Sequence, residues 1–235
     1  MNRISHSRRL RDKIRFARGE LDSAAAGLWT HRHLAQLYPE FLFRTHAVIR
    51  ASVPLMESAA ACCQTRMTTD PLAAAMFPYL SHHIPEEMHH DDWVLEDLHV
   101  LGMCREDVLA RIPPPSVAAL VGTQYYWIRH FHPVALLGFI AVLEGTPPDV
   151  EYFERTAHQI GIPRDAFSTI LRHGRLDPRH RDDLDHVLDT LPLTDMHHAL
   201  LGISAFQTIH LLTSVMEEIL DSVTLQRPKA AGASV

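Results

Sequence analysis

Two segments of the chain place histidines and carboxylates at spacings that share one face of a helix. In the first segment, His83, Glu87 and His90 fall within about 60° of one another, because a helix advances about 100° per residue. The segment 173–180 repeats this spacing with its histidines and aspartate. Imidazole and carboxylate ligands together form the shell that binds iron or manganese in helical bundles. The two segments therefore predict a transition-metal site between helices.

The carboxylate ligand of the first segment has two candidates. Glu87 precedes His90 by three residues, which is the Glu-x-x-His spacing of di-iron bundles, but Glu86 has the same relation to His89. The run 86–92 is also polar throughout, so its charges could equally face solvent. A metal site here requires the helix register that turns His90 inward.

Glu144 is the third candidate ligand, because it ends the uncharged run 134–143. A carboxylate buried without a partner is costly in free energy, so an acid at this place needs a cation or hydrogen-bond donors. The alternative is an exposed residue at a helix C-terminus, where a negative charge opposes the helix dipole. That unfavourable interaction favours the interpretation as a ligand.

The second histidine-rich segment has a competing interpretation. Gly174 and Pro178 should interrupt a helix there, and Asp177 before a proline is a good helix N-cap. Asp177 could cap the helix with one oxygen and bind metal with the other, one turn before His180. The weak helix predicts a segment that is loose until metal binds.

Helical periodicity dominates the chain, and we find no alternating pattern typical of strands. The fold class is therefore all-α. Residues 1–20 are interpreted as a basic N-terminal extension or helix, 21–225 as a single helical domain, and 226–235 as a disordered tail. Predicted helices cover 8–18, 31–43, 45–63, 71–80, 84–101, 105–111, 116–144 with a division at Pro133, 150–159, 164–172, 178–188 and 195–225.

Composition excludes several functional classes. The 235 residues, 46% of them hydrophobic, suffice for one substantial core, and the net charge of -6 disfavours nucleic-acid binding. The first 18 residues carry seven Lys and Arg but no apolar signal-peptide segment, and the three cysteines form no CxxC pair. The longest uncharged apolar run, 134–143, is about half of the ~20 residues that span a bilayer. We expect a cytoplasmic protein that binds no membrane.

Taken in order, the motifs resemble a known family. They are HxxEExxHDxW from His83 to Trp93, followed by DLxxLG from Asp97 to Gly102, then His-Pro at 132–133 with an apolar run ending in Glu-Gly at 144–145, and HxxxDxxH at 173–180. This order is similar to that of the haem-oxygenase-like diiron oxidases and oxygenases, the iron-containing redox enzymes. The resemblance covers roughly residues 80–190.

The resemblance implies a haem oxygenase-like bundle of about seven core helices with two irons in its interior. Carried over by position, the six metal ligands are Glu87, His90, Glu144, His173, Asp177 and His180. Many members have a glutamate seven residues before the first histidine of this set, where the present chain has His83. Either Glu87 replaces that glutamate or His83 itself binds metal, and Glu86 stays a further alternative.

The resemblance also implies a reaction class. Two Fe(II), with Mn as the alternative metal, would use O2 as co-substrate to oxidise a small organic molecule of specialised metabolism. An amino acid, amine or fatty acid would undergo N-oxygenation, desaturation or C–C cleavage. A homodimer is compatible with this class.

Three other classes stay open. The same fold supports metal-free enzymes, such as thiaminase-like hydrolases and cofactorless oxidases, as well as haem oxygenase and non-catalytic partner proteins. No pattern marks Cys62, Cys63 or Cys104 as an activated nucleophile, and the glycine-rich helix that lets haem approach is missing from the sequence.

Overall fold

The computed structural model describes residues 4–225, and the regular secondary structure of these residues is entirely helical, which confirms the all-α prediction. Residues 226–235, expected to form a tail, lie outside the described part of the chain. The first six helices are α1 (His6–Ala17), α2 (Gly19–Trp29), α3 (Leu34–Ile49), α4 (Ser52–Arg66), α5 (Pro71–Glu87) and α6 (His90–Val100). The others are α7 (Arg105–Ala110), α8 (Pro115–His130), α9 (Ala135–Leu143), α10 (Val150–Ile160), a short 3₁₀ helix (Arg164–Phe167), α11 (Ser168–Thr190) and α12 (Asp195–Leu225).

Helix α12 is the central element, because it packs against α1, α2, α3, α8 and α9. Its segment Asp195–Ser222, of 28 residues, contains an 18-residue window with a mean hydropathy of 1.5, enough in length and composition to cross a membrane. The apolar segment in α12 is therefore longer than the run 134–143 identified from the sequence. Half of its most apolar window is buried by the other helices, as expected for the core helix of a bundle.

The single helix predicted over 84–101 is wrong, because the structure has two helices there. Helix α5 continues to Glu87 with Pro85 inside its last turn, and α6 begins at His90. Between them His89 adopts the left-handed conformation, with φ 69°. This backbone conformation is uncommon for residues other than glycine, and it turns the chain sharply. Consequently the ligand candidates of this segment converge across a corner between two helices.

The interruption predicted at Gly174 and Pro178 is also wrong. Helix α11 runs through both residues, so Asp177 lies inside a helix and is not an N-cap. A Cβ atom at Gly174 would lie 2.6 Å from the carbonyl oxygen of Pro148, so glycine is needed there for close packing. Pro178 is exposed, which leaves its ring on the outer side of the helix. Asp177 faces inward and is only 4% exposed.

The division predicted at Pro133 is confirmed, since α8 ends at His130 and α9 begins at Ala135. At this corner His132 accepts a hydrogen bond from the Val134 amide at Nδ1 (3.0 Å) and pairs with Asp70 through Nε2 (2.9 Å). Asp70 in turn caps the first turn of α5. The corner before α9 is therefore fixed to the start of α5.

Candidate metal centre

Seven imidazole and carboxylate side chains lie on the inner faces of four helices. Helix α5 supplies two of them, α6 one, the C-terminal end of α9 one, and α11 three. They are His83, Glu87, His90, Glu144, His173, Asp177 and His180. Five of the six residues inferred from the motifs lie, together with His83, in the two groups of donor atoms described below, and Asp177 lies in neither group.

The first group consists of His83, Glu87, Glu144 and His180, whose ligand atoms all lie within 4.8 Å of one another. His83 Nε2 is 3.1 Å from Glu144 Oε1, and His180 Nδ1 is 3.3 Å from Glu87 Oε1. The two histidine side chains are 3% and 4% exposed. Two imidazoles and two carboxylates thus surround one buried point.

The second group consists of Glu87, His90 and His173, which meet the same distance limit of 4.8 Å. His90 Nδ1 is 3.1 Å from Glu87 Oε2, whereas Glu87 Oε1 faces His180 of the first group. The two oxygens of one carboxylate are therefore directed at different groups. Glu87 therefore contributes a ligand atom to both groups.

The donor atoms fit a cation because several are buried without a hydrogen-bond partner. Within residues 4–225, Glu144 Oε2 and Asp177 Oδ1 have none, and Nδ1 of His90 and of His180 approaches Glu87 without hydrogen-bond geometry. A buried polar atom left unpaired costs about 1–3 kcal/mol. Metal coordination would satisfy all four atoms at once.

The electrostatics of the site also favour a cation. Burial raises the pKa of Asp177 to about 8, and the negative charges of Glu144 and Glu87 add to this effect. Burial alone would lower the pKa of His83, but its hydrogen bond to Glu144 and the nearby carboxylates raise it to about 9. Without metal, the raised pKa values keep Asp177 neutral and His83 positively charged next to the carboxylates of Glu144 and Glu87. A divalent ion would allow all three acids to ionise.

Glu86 lies outside both groups. Its carboxylate accepts a hydrogen bond from Arg179 Nη2 at 2.7 Å and lies 3.6 Å from His82 Nε2, on the outer side of α5. Its other oxygen is 3.4 Å from His83 Nδ1. The structure therefore directs Glu87 inward, and Glu86 holds the second ring nitrogen of His83.

Two aromatic residues, each one helical turn from its partner in sequence, pack against the imidazoles. Tyr79 stacks on His83 with ring centroids 5.3 Å apart, and its buried hydroxyl has no partner among the described residues. Trp93 stacks on His90 at 3.9 Å, and its ring is covered by the guanidinium of Arg172 at 4.8 Å. These contacts restrict the orientation of the two imidazole rings.

Asp97 joins two of the helices that carry candidate ligands. It is fully buried on α6, and its Oδ2 accepts a hydrogen bond from the Thr169 amide in the first turn of α11, at 3.0 Å. Thr169 lies one turn before His173, and the Thr169 carbonyl oxygen is 2.9 Å from His173 Nδ1. Asp97 therefore fixes the relative position of α6 and α11 next to the second group.

An all-helical bundle with buried imidazole and carboxylate donors defines the class of helical-bundle metalloproteins. Within this class, a family model described as iron-containing redox enzyme matches residues 46–207. The chain belongs to this family, which confirms the resemblance found in the motifs. No curated protein matches the sequence of the chain.

Solved structures establish the fold. One is a domain of unknown function with a haem oxygenase-like fold from Shewanella denitrificans, with a TM-score of 0.74, 16% identity, and coverage of 95% of this chain and 93% of that chain. Another is a TenA homologue from Pseudomonas syringae pv. tomato, with a TM-score of 0.65, 12% identity, and coverage of 88% and 92%. The chain therefore has the haem oxygenase-like fold.

Proposed function

We propose that the protein is a non-haem diiron oxidase or oxygenase that uses O2 to oxidise a small organic substrate. The observation that carries the proposal is Glu87, whose two oxygens face two separate donor groups. Membership of the iron-containing family supports iron as the metal, with manganese as the alternative. His83, Glu87, Glu144 and His180 would hold one ion, and Glu87, His90 and His173 would hold the other. Asp177 would add an oxygen ligand.

Two ferrous ions would supply the electrons that reduce O2, a chemistry that the protein side chains do not provide. The side chains themselves hold and orient the donors and keep water away. Tyr79 and Trp93 fix the planes of His83 and His90, and Glu86 holds the outer nitrogen of His83. Asp177 and His83 carry protons in the metal-free protein, and both protons leave when metal binds.

The substrate class follows from the proposed family chemistry. We infer an amino acid, amine or fatty acid of specialised metabolism, oxidised by N-oxygenation, desaturation or C–C cleavage in the cytoplasm. The net charge of -6 supports a small-molecule substrate in preference to nucleic acid. Assembly as a homodimer is part of the same proposal.

The second candidate is a metal-free enzyme, and the likeness to a TenA homologue favours it. A thiaminase-like hydrolase or cofactorless oxidase would need an activated nucleophile or base instead of metal ligands. Burial raises the pKa of the Cys63 thiol to about 12, and a hydrogen bond with Asp107 raises the pKa of Cys104. Neither thiol is activated, so the diiron proposal is the better supported.

Anaerobic reconstitution with Fe(II) tests the proposal. We expect close to two irons per chain and a change in visible absorption when O2 is added. Glu87→Ala should lose both irons because both groups depend on that carboxylate, whereas Glu151→Ala, which removes a side chain 86% exposed, should retain them. Iron at background level in the wild-type protein would contradict the diiron proposal and favour the metal-free candidate.

A further inference from the structure

Two arginines from the N-terminal helix contact the segment that carries Glu144. Arg11 lies in α1 and Arg18 follows its last residue, seven positions later, so both side chains leave the same face of the helix. Arg11 reaches Ala141 and Arg18 reaches Thr146, one on either side of Glu144. We call this pair the arginine clamp.

Arg11 connects α9, whose C-cap residue is Glu144, to α11, which carries His180. Its Nη1 donates to the carbonyl oxygen of Ala141 at 2.9 Å, and its Nη2 is 2.7 Å from Asp185 on α11. The Ala141 carbonyl belongs to the last turn of α9, where carbonyl groups lack helical partners and a cation is favourable. Because Asp185 lies on the same helix as His180, Arg11 sets the distance between two ligand-bearing elements.

Gly145 provides the space that Arg11 needs. A Cβ atom at this position would lie 2.5 Å from Arg11 Nη1 and 2.2 Å from the Ala141 oxygen. The closer of the two atoms is the backbone oxygen, so a side chain at this position is excluded first by the Ala141 carbonyl and second by the guanidinium bound to it. Glycine at 145 therefore leaves room for the hydrogen bond between Arg11 and Ala141.

Arg18 holds the other side of the segment. Its Nη1 donates to Thr146 Oγ1, and its Nε donates to Asp22 at 2.9 Å. Asp22 lies on α2, so the guanidinium is itself held in place. With Ala141 fixed on one side and Thr146 on the other, the backbone that carries Glu144 has little freedom to shift.

We propose that the arginine clamp positions Glu144 for metal binding, an inference that rests on the proposed diiron function. Neither arginine touches a donor atom of the site, so both are positioning residues. Both also precede the segment 46–207 that the family model matches. The N-terminal helix would thus add to the family core a device that keeps the Glu144 carboxylate directed at His83 and His180.

The test compares Arg11→Gln/Arg18→Gln with a control double variant, Arg8→Gln/Arg15→Gln. The control removes the same charge from the same helix, but its two arginines are 65% and 72% exposed and, among residues 4–225, pair only with Asp12. In the metal-free proteins, hydrogen exchange of amides 141–146 should accelerate in the clamp variant alone. Titration with Co(II) should show an affinity at the Glu144 group lowered at least about tenfold, with an altered visible spectrum. The group of Glu87, His90 and His173 should keep its affinity.

The proposal is overturned if the clamp variant has the hydrogen exchange, the Co(II) affinity and the visible spectrum of the wild type. A lower melting temperature of the clamp variant would not change that conclusion. Arg11→Lys keeps the charge and one donor group. The double variant Arg11→Lys/Arg18→Gln should therefore bind Co(II) more tightly than Arg11→Gln/Arg18→Gln if positioning is the cause. If the clamp variant fails to fold, Thr146→Val removes an acceptor without altering α1, and the same two readouts decide. If the wild-type protein binds no Co(II), the diiron function fails, and hydrogen exchange alone decides whether the clamp orders the segment.

Discussion

At the scale of single residues, removal of Glu144 distinguishes its role as a metal ligand from that of an ordinary helix-end residue. Its Oε1 is 3.1 Å from His83 Nε2, and its Oε2 is buried without a partner. We expect Glu144→Ala to reduce bound iron to one per chain or less while the helical content stays unchanged. If Glu144 only ended a helix, its removal would leave iron unchanged and stabilise the helix by ~0.3–1 kcal/mol. Iron analysis, circular dichroism and thermal melts distinguish the two cases.

A matched control for this change is Glu151→Ala. Glu151 is a glutamate with a side chain 86% exposed that pairs only weakly with Arg155. Its removal should affect neither iron binding nor stability, because exposed ion pairs contribute little. Loss of iron in this control would show that the assay responds to general charge and not to the site.

The raised pKa values of Asp177 and His83 predict a pH dependence of both stability and metal binding. Both groups hold a proton more tightly in the folded state, with pKa about 8 and about 9. The stability that they contribute is complete below their unfolded pKa values and is lost as the pH rises through 8 and 9. The metal-free protein should therefore melt at lower temperature in alkaline buffer, whereas affinity for Co(II) should rise with pH.

Proton release measures the same linkage directly. Metal binding near neutral pH should release protons into a weakly buffered solution that contains an indicator dye. Asp177→Asn should release fewer protons than the wild type, because an amide carries no ionisable proton. Equal release from the two proteins would contradict the protonated state assigned to Asp177.

At the scale of helices, Asp97 holds α6 and α11 together, and its raised pKa predicts how the stability of this contact depends on pH. Burial raises its pKa to about 6 from 3.8, although the Thr169 amide opposes the shift. Its stabilising contribution is complete below about pH 4 and is lost as the pH rises through about 6, a difference of about 3 kcal/mol. Asp97→Asn keeps an acceptor for Thr169, so its unfolding free energy should depend less on pH over this range. Urea titrations at several pH values measure it, and an unchanged pH dependence in the variant would contradict the assignment.

The helices also show which sequence signals were reliable. Spacing selected candidate donors that lie close together in the structure. The division at Pro133 was predicted because a proline inside a helical pattern interrupts the helix locally. Pro85 and Pro178 misled the helix boundaries, since each lies inside a helix in the structure. Gly174 is explained by contact with Pro148, which is distant in sequence. Local rules cannot foresee a glycine chosen for tertiary packing.

The site shows the same division between local and distant effects. The i, i+4 spacing predicted the shared face of His83 and Glu87 on α5, and the i, i+7 spacing that of His173 and His180 on α11. His90 meets Glu87 across the corner at His89, which helical spacing did not predict. The six candidate ligands followed from the family resemblance. The choice between Glu86 and Glu87 depended on the direction of α5 relative to α11, which the sequence does not reveal. The contacts of Arg11 and Arg18 were likewise invisible, because their partners follow more than a hundred residues later.

At the scale of the whole molecule, α12 predicts the behaviour of the protein near lipid. The helix passes the length and hydropathy criteria of a membrane span, but half of its apolar window is buried by other helices. We expect the folded protein to remain in the supernatant when it is sedimented with neutral or anionic vesicles. Sedimentation with the vesicles at native temperature would contradict the interpretation of α12 as a core helix.

The central place of α12 has a consequence for biosynthesis. The helices before it are synthesised while the inner faces of α1, α2, α3, α8 and α9 still lack their partner. A nascent chain in this state exposes apolar surface and is prone to aggregate until the missing helix arrives. Production of the protein should therefore depend on chaperones that shield unfinished chains, and any premature stop before residue 195 should leave an insoluble product.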